Sequence, residues 1–384
     1  MIYELTGRID TSNAASFEKE LMEAADKDTL ILDATQLEYI SSAGLRVILK
    51  LKKRQDDLTI KNVSSEVYEI FDMTGFTDML NVERALRTID LASCTKIGNG
   101  GTGTVYRYDD ETIVKAYHEG VRLEEIENER KYARAAFIAG IPTAIPFDMV
   151  KIGNCYGNVY ELMNSNTLSN AFITQPEKYD ELISKYADLY KTLAAAKINP
   201  SDFDSYKSLM LKRCSRLADI YGKEYADAIT SVIEHMRSEG CLIHGDLHPA
   251  NIMLQDGELM LIDMADVTIG PSFYELVAIY RDIGVRRSEQ AAELMYESVG
   301  LKPDMAYKIW DDFFAKLMEG KDEETIRQTQ TKIDLINALF STVMLSVSPS
   351  NVIELIAPLM IEQVIKPVIM PNLDTLKAML DNTF

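Results

Sequence analysis

The chain predicts an α/β domain followed by an α+β domain of two lobes, the second lobe mostly helical. Three observations carry this. The first 90 residues alternate short apolar runs with amphipathic stretches, a β-α-β-α order that calls for helices packed on a sheet. Beyond a polar seam, glycine-punctuated strands and one charged, alanine-rich helix run to about Met163. From there to Phe384 helical periodicity dominates, broken only by short apolar runs and turns at 242–267. The expected domains are 1–90, 91–163 and 164–384, the last two being lobes of one fold.

In the first domain Ile2 to Leu5 is a strand, and a helix follows Thr11 or Ser12 with Phe17, Leu21 and Ala25 on one face. Thr29-Leu30-Ile31-Leu32 is a buried strand. The next helix begins at Ser41 or Ser42 and turns Leu45, Ile48 and Leu49 inward. Leu58-Thr59-Ile60 is a further strand, and Val67, Ile70 and Phe71 mark a third helix. Arg87 to Lys96 is the seam, a mixed polar segment without strong periodicity. Leu335 to Val347 is too short to span a bilayer, which takes ~20 apolar residues, and reads as a buried helix.

The composition narrows the class. With 47% hydrophobic residues the chain can bury full cores. Its four cysteines form no closely spaced pair, so reduced thiols in a cytoplasm are expected. The start lacks a basic, apolar leader. A net charge of −20 disfavours nucleic acid and anionic membrane surfaces and suits a cationic partner or substrate, or ordinary solubility.

His244-Gly245-Asp246-Leu247-His248-Pro249-Ala250-Asn251, followed by Leu261-Ile262-Asp263, is the strongest motif. Phosphoryl transfer from a nucleotide needs one carboxylate to orient and deprotonate a hydroxyl, and further oxygens to hold magnesium against the phosphates. Asp246 suits the first task, Asn251 and Asp263 the second. Flanking apolar residues and an Asp256-Gly257 hairpin turn would pin these groups between short buried strands. His244 is expected to bond backbone and hold the loop. His244 and His248 are not expected as a metal pair, because Pro249 argues against a helix there. Asp266 either assists near the metal or caps a turn.

The remaining nucleotide-binding parts are weaker singly. Gly98-Asn99-Gly100-Gly101-Thr102-Gly103-Thr104-Val105 fits G-x-G-x-x-G-x-V, in which glycines let backbone amides approach phosphates. Lys115 follows an apolar strand and would meet the α- and β-phosphates, paired with a carboxylate of the next helix. Glu129 is preferred there over Glu125 and Glu127. Glu161 and Met163 end the last strand, where main-chain groups would meet adenine.

HGDLHPAN with LIDMAD resembles the aminoglycoside phosphotransferase and choline kinase group over about residues 95–285. That resemblance implies a protein-kinase-like fold using ATP and Mg, with Asp246 as base, Asn251 and Asp263 as metal ligands, and Lys115 with Glu129 as the nucleotide pair. Gly245 stands where protein kinases typically carry arginine, and no activation segment follows Asp263. Glu275 replaces the aspartate usual after G-x-P, a change expected to bear on support of the catalytic loop.

Leu32-Asp33-Ala34-Thr35 and Tyr39-Ile40-Ser41-Ser42-Ala43-Gly44-Leu45-Arg46, with Gly7-Arg8-Ile9-Asp10, resemble the anti-sigma factor antagonist (STAS) domain. The resemblance implies an anti-sigma factor or switch kinase as partner and maps the phosphoacceptor to Ser42. A helix start there tolerates added negative charge, and an N-cap role for Ser41 or Ser42 is the plain alternative. Ser41 stands where the family often has an acid. The expectation is thus an ATP-dependent phosphotransferase acting on a hydroxyl of a small molecule and governed by a STAS module. The alternatives are a nucleotide-sensing regulatory protein and a kinase acting on the STAS serine.

Overall fold

The computed structural model describes residues 1–25, 29–163, 165–286 and 299–382. They form two compact units, Met1–Gly120 with Phe147–Tyr160, and Val121–Pro146 with Glu161–Phe384.

The first unit opens with a parallel four-stranded sheet, order β1-β2-β3-β4, from β1 (Ile2–Ile9), β2 (Ile31–Ile40), β3 (Thr59–Val63) and β4 (Asn81–Arg84). Parallel neighbours need crossovers, here α1 (Ala14–Ala25), α2 (Ser42–Lys52) and α3 (Ser65–Met73). Their apolar faces bury Leu21, Ile48, Val67 and Phe71 against Leu5, Leu32 and Ile60. Ser41 starts α2. Its hydroxyl accepts the amides of Ala43 and Gly44 at 3.2 and 3.4 Å, while its own N–H donates to the Ile9 carbonyl. A Cβ on Gly44 would lie 2.7 Å from side-chain carbons of both Ile9 and Ile40, so the helix can sit this close to the sheet only with glycine there.

A six-stranded sheet completes the unit, order β5-β9-β10-β8-β7-β6. Its strands are β5 (Arg87–Thr88), β6 (Thr95–Asn99), β7 (Gly103–Arg107), β8 (Thr112–Tyr117), β9 (Pro146–Ile152) and β10 (Cys155–Glu161). The polar seam Arg87 to Lys96, which shows no strong periodicity, carries β5 and the start of β6. β5 is short and polar, and its conformation comes from pairing with β9 rather than from any apolar pattern of its own.

The second unit gathers α4 (Leu123–Ile138) with the helices of the chain's second half. Tyr132, Ala133 and Ala136 pack with Leu168, Phe172, Tyr186 and Leu242. β11 (Asn166–Thr167), α5 (Leu168–Thr174) and α6 (Tyr179–Ala195) lead towards the motif region. There β12 (Cys241–Ile243) is fully buried, β13 (Ile252–Gln255) and β14 (Glu258–Leu261) form an antiparallel hairpin, and β15 (Thr268–Gly270) pairs with β12. Asp256 and Gly257 both take positive φ, 51° and 85°, as a two-residue hairpin turn of the primed kind requires. The segment Leu335 to Val347, expected as one buried helix, is the end of the helix Glu323–Met344 followed by a 3-10 turn, Leu345–Val347, in which Val347 is exposed. No helix among the described residues is long and apolar enough to cross a membrane.

Candidate active site

The loop from His244 to Asn251 is pinned from every side. β12 delivers His244, whose buried ring donates from Nε2 to the Ile262 carbonyl at 3.0 Å. That is the loop-holding role its position suggested. Gly245 runs at φ 80°, and a Cβ there would meet the Asp266 carbonyl at 3.0 Å, so the turn favours glycine on two counts. The amides of His244 and Gly245 both donate to Glu275 Oε2, the latter at 3.2 Å. Glu275 lies on the helix Ser272–Ile279 and is 1% exposed. Burial drives its carboxyl up to about 7 against the pull of those two amides. The Leu247 carbonyl accepts the Tyr186 hydroxyl from α6.

Within this frame Asn251 Nδ2 donates to Asp246 Oδ2 at 2.8 Å and to the Asp246 carbonyl at 3.0 Å. Both amide hydrogens are thereby directed at Asp246, and Asn251 Oδ1 is left as the free ligating atom. Asp263 follows Ile262, whose N–H donates to the Asn251 carbonyl at 3.0 Å. It adopts φ 60°, a left-handed conformation rare for a non-glycine residue and frequent where a side chain is aimed for function. The Asp246 and Asn251 side chains thus meet, and the backbone just before Asp263 is bonded to the same loop. Oxygen donors of this kind suit a hard cation such as magnesium. The Asp266 carboxylate pairs with Arg213 at 3.3 Å.

Three positive or potentially positive groups surround Asp246. His248 Nε2 lies 3.5 Å from Oδ2 and Arg281 3.8 Å from Oδ1, with the His244 ring beyond. Burial alone would raise the carboxyl, but His248, Arg281 and His244 together hold it well below the usual carboxylate range. Burial opposes charge on His248 too, yet Asp246 leaves its pKa raised.

Arg281 was not singled out from sequence. It donates to the Gly245 carbonyl at 3.2 Å and grips Asp282 with two bonds of 2.7 and 2.9 Å. The pair sits in a π-turn, Tyr280–Gly284, directly after the loop-supporting helix. The signal was present: Arg281-Asp282 is a charged dipeptide inside the apolar run from Leu276 to Ile283.

The nucleotide-binding candidates divide between the units. In the first, Lys115 stands opposite Val105 on β8, 8% exposed, its ammonium 5.3 Å from the Tyr117 ring centroid. Asn158 fixes that ring by donating to the Tyr117 hydroxyl at 2.9 Å. Of the glycines, only Gly103 is demanded by packing, since its Cβ would fall 2.6 Å from the Ala116 carbonyl. Gly98 and Gly100 have ordinary clearance, and a Cβ on Gly101 would meet nothing within 4 Å. These three leave room above the backbone that a phosphate could use. In the second unit Glu129 is 2% exposed, whereas Glu125 is held at the surface by Arg122. The Glu161 amide bonds the Ile145 carbonyl and its side chain accepts the Ile145 amide; Met163 is buried. In the first unit Ser42 is exposed at the first turn of α2, beside Ser41, which does the capping.

Comparison with known proteins fits both halves. Residues 1–89 match the family model of the STAS domain, and residues 93–306, more than half the chain, match that of the phosphotransferase enzyme family. The anti-sigma factor antagonist BtrV of Bordetella bronchiseptica is 37% identical over 84 residues, 20% of this chain and 72% of that protein. The anti-sigma-B factor antagonist of Listeria monocytogenes is 27% identical over 85 residues, 21% of this chain and 75% of that protein. Among solved structures, the ADP-bound aminoglycoside phosphotransferase APH(2'')-Ib aligns over 77% of this chain and 96% of its own, with 14% identity and a TM-score of 0.47. A choline/ethanolamine kinase family protein from Mesorhizobium loti aligns over 75% and 92%, with 12% identity and a TM-score of 0.44.

Proposed function

The chain belongs to the phosphotransferase enzyme family and carries a STAS domain of the anti-sigma factor antagonist type ahead of it, and from that premise we propose that it transfers the terminal phosphoryl group of ATP to a hydroxyl of a small molecule under STAS control. The observation that carries the reading is the Asp246–Asn251 contact, which fixes one carboxylate while leaving an amide oxygen free.

Asp246 orients the acceptor hydroxyl. The acceptor oxygen bonds to the γ-phosphorus, the bond from phosphorus to the bridging oxygen of ADP breaks, and the hydroxyl proton passes to Asp246. A carboxylate held as low as this one is a weak base, which suits a loose transition state in which the proton leaves late and positioning dominates. Magnesium, bound by Asn251 Oδ1 and Asp263, would neutralise phosphate charge. Lys115 takes the α- and β-phosphates and Glu129 is its carboxylate partner. Gly98, Gly100, Gly101 and Gly103 provide the backbone cradle, and the main chain at Glu161 and Met163 meets adenine. A net charge of −20 favours a cationic acceptor such as an amino alcohol or aminosugar. At the STAS surface the partner is an anti-sigma factor or a switch kinase, with Ser42, exposed on α2, as phosphoacceptor.

ADP formation measured against amino alcohols, aminosugars and purified protein substrates tests this, with Asp246→Ala as control. Turnover above that control on a small hydroxyl compound supports the reading. ATP binding with no turnover anywhere turns it into a nucleotide-sensing regulator, and phosphate appearing on Ser42 turns it into a protein serine kinase.

A further inference from the structure

The chain passes from the STAS sheet to the glycine-bearing sheet without slack. β4 ends at Arg84 and β5 begins at Arg87. Between them the Ala85 N–H still donates to the Val63 carbonyl of β3, at 2.7 Å. β5 then joins β9 in parallel, Arg87 opposite Val150 and Thr88 opposite Lys151, and the Ile89 N–H extends the ladder to the Lys151 carbonyl at 3.0 Å. The Ile89 side chain enters the core of the second sheet with Val114, Val150 and Val159. Val114 immediately precedes Lys115, so the buried Ile89 side chain packs beneath the strand that carries the candidate phosphate-binding lysine.

Two side-chain contacts reinforce the junction. Ser65, the first residue of α3, donates from Oγ to Asp148 Oδ1 on β9 at 3.4 Å. The Arg87 guanidinium lies 5.7 Å from the Tyr108 ring centroid. On the STAS side Arg84 is anchored over the Tyr68 ring at 4.1 Å, with its side chain only 5% exposed and Glu69 3.5 Å away. A tether meant to let domains move freely is rich in glycine and serine and makes no ladder. This segment does the reverse at Arg84, Ala85, Arg87, Thr88 and Ile89.

We propose that the STAS domain regulates the phosphotransferase through this splice: β5 makes the STAS fold and the sheet bearing Lys115 and the glycines one mechanical body, so that a change at the STAS surface acts on the nucleotide site through β9. The regulatory sense of the splice rests on the phosphotransferase reading; its mechanical content does not.

The test is hydrogen exchange on the full chain, read on peptides covering Pro146–Ile152. Leu32 is fully buried in the STAS core, and Leu32→Ala loosens that fold by leaving a cavity. Ile60→Val is the milder substitute if Leu32→Ala does not fold. Exchange in β9 is expected to rise by roughly tenfold when the STAS core is loosened. The same substitution is expected to leave β9 unchanged in a chain with about eight Gly and Ser residues inserted between Ala85 and Leu86. Unaltered β9 exchange despite faster exchange in β2, or an equal rise with and without the insert, overturns the proposal. ATP affinity is measured on the same proteins. If none binds ATP, the phosphotransferase reading falls while the exchange comparison still decides the splice.

Discussion

Glu275 accepts the Gly245 amide at 3.2 Å, and with it takes the adjacent amide of His244 into the same carboxylate oxygen. The two donors sit in the turn that carries Asp246. One side chain on the following helix therefore sets the path of the backbone at the reacting group.

Removing that support has a cost in stability and in rate. Glu275→Ala strands two buried amides at ~1–3 kcal/mol each. Urea denaturation should show a loss of about 2–6 kcal/mol, and ADP formation should fall at least about tenfold, because the turn is no longer held in register.

The pH dependence of stability follows from the same group. Its pKa rises from 4.5 to about 7 on folding, so between these values the native state holds a proton that the unfolded state has lost. The resulting stabilisation is complete below 4.5 and declines as pH rises to about 7, by about 3 kcal/mol in all. Glu275→Gln should flatten that part of the stability profile. A wild-type profile already flat between pH 4.5 and 7 would contradict it.

Asp246→Ala should lower the rate of ADP formation by roughly 10²–10⁴-fold while leaving the fold intact, the range for losing a positioned general base. An unchanged rate removes Asp246 from the chemistry.

Asp263→Asn should raise the magnesium concentration needed for half-maximal turnover more than it lowers the maximum. A magnesium titration of both proteins separates these effects, and identical titration curves would deny Asp263 its role.

Arg281→Met leaves Asp282 buried without its partner, at roughly 3–5 kcal/mol. Adding Asp282→Asn should recover most of that stability. The rate should not recover with it, since the Arg281 contacts to the Gly245 carbonyl and the Asp246 carboxylate stay lost. Full recovery of both by the double variant would make the pair structural only.

What was legible in the sequence was local. The run from His244 to Asp263 is short-range: two buried strands, a primed turn and the Asp246-to-Asn251 interval determine the loop almost without outside help. Glu275 was visible as a departure from a familiar pattern, and its effect on the loop followed. Arg281 and Asp282 lie 35 and 36 positions after Asp246, and nothing in their own spacing points back to it. Only their charge inside an apolar run marked them. β4 and β5 were silent for a different reason: short polar strands at sheet margins owe their conformation to the strand beside them. Glu129 could be preferred over its neighbours by helical phase, whereas its burial and the capture of Glu125 by Arg122 are facts of packing.

The place of β5 at the margin of its sheet bears on how the protein should be handled in pieces. A recombinant fragment begun after Leu91 would look complete by its motifs yet lack Arg87, Thr88 and the Ile89 plug. β9 would then present its bare backbone as a template for stray chains, and such a fragment should aggregate more readily than the chain with β5 in place.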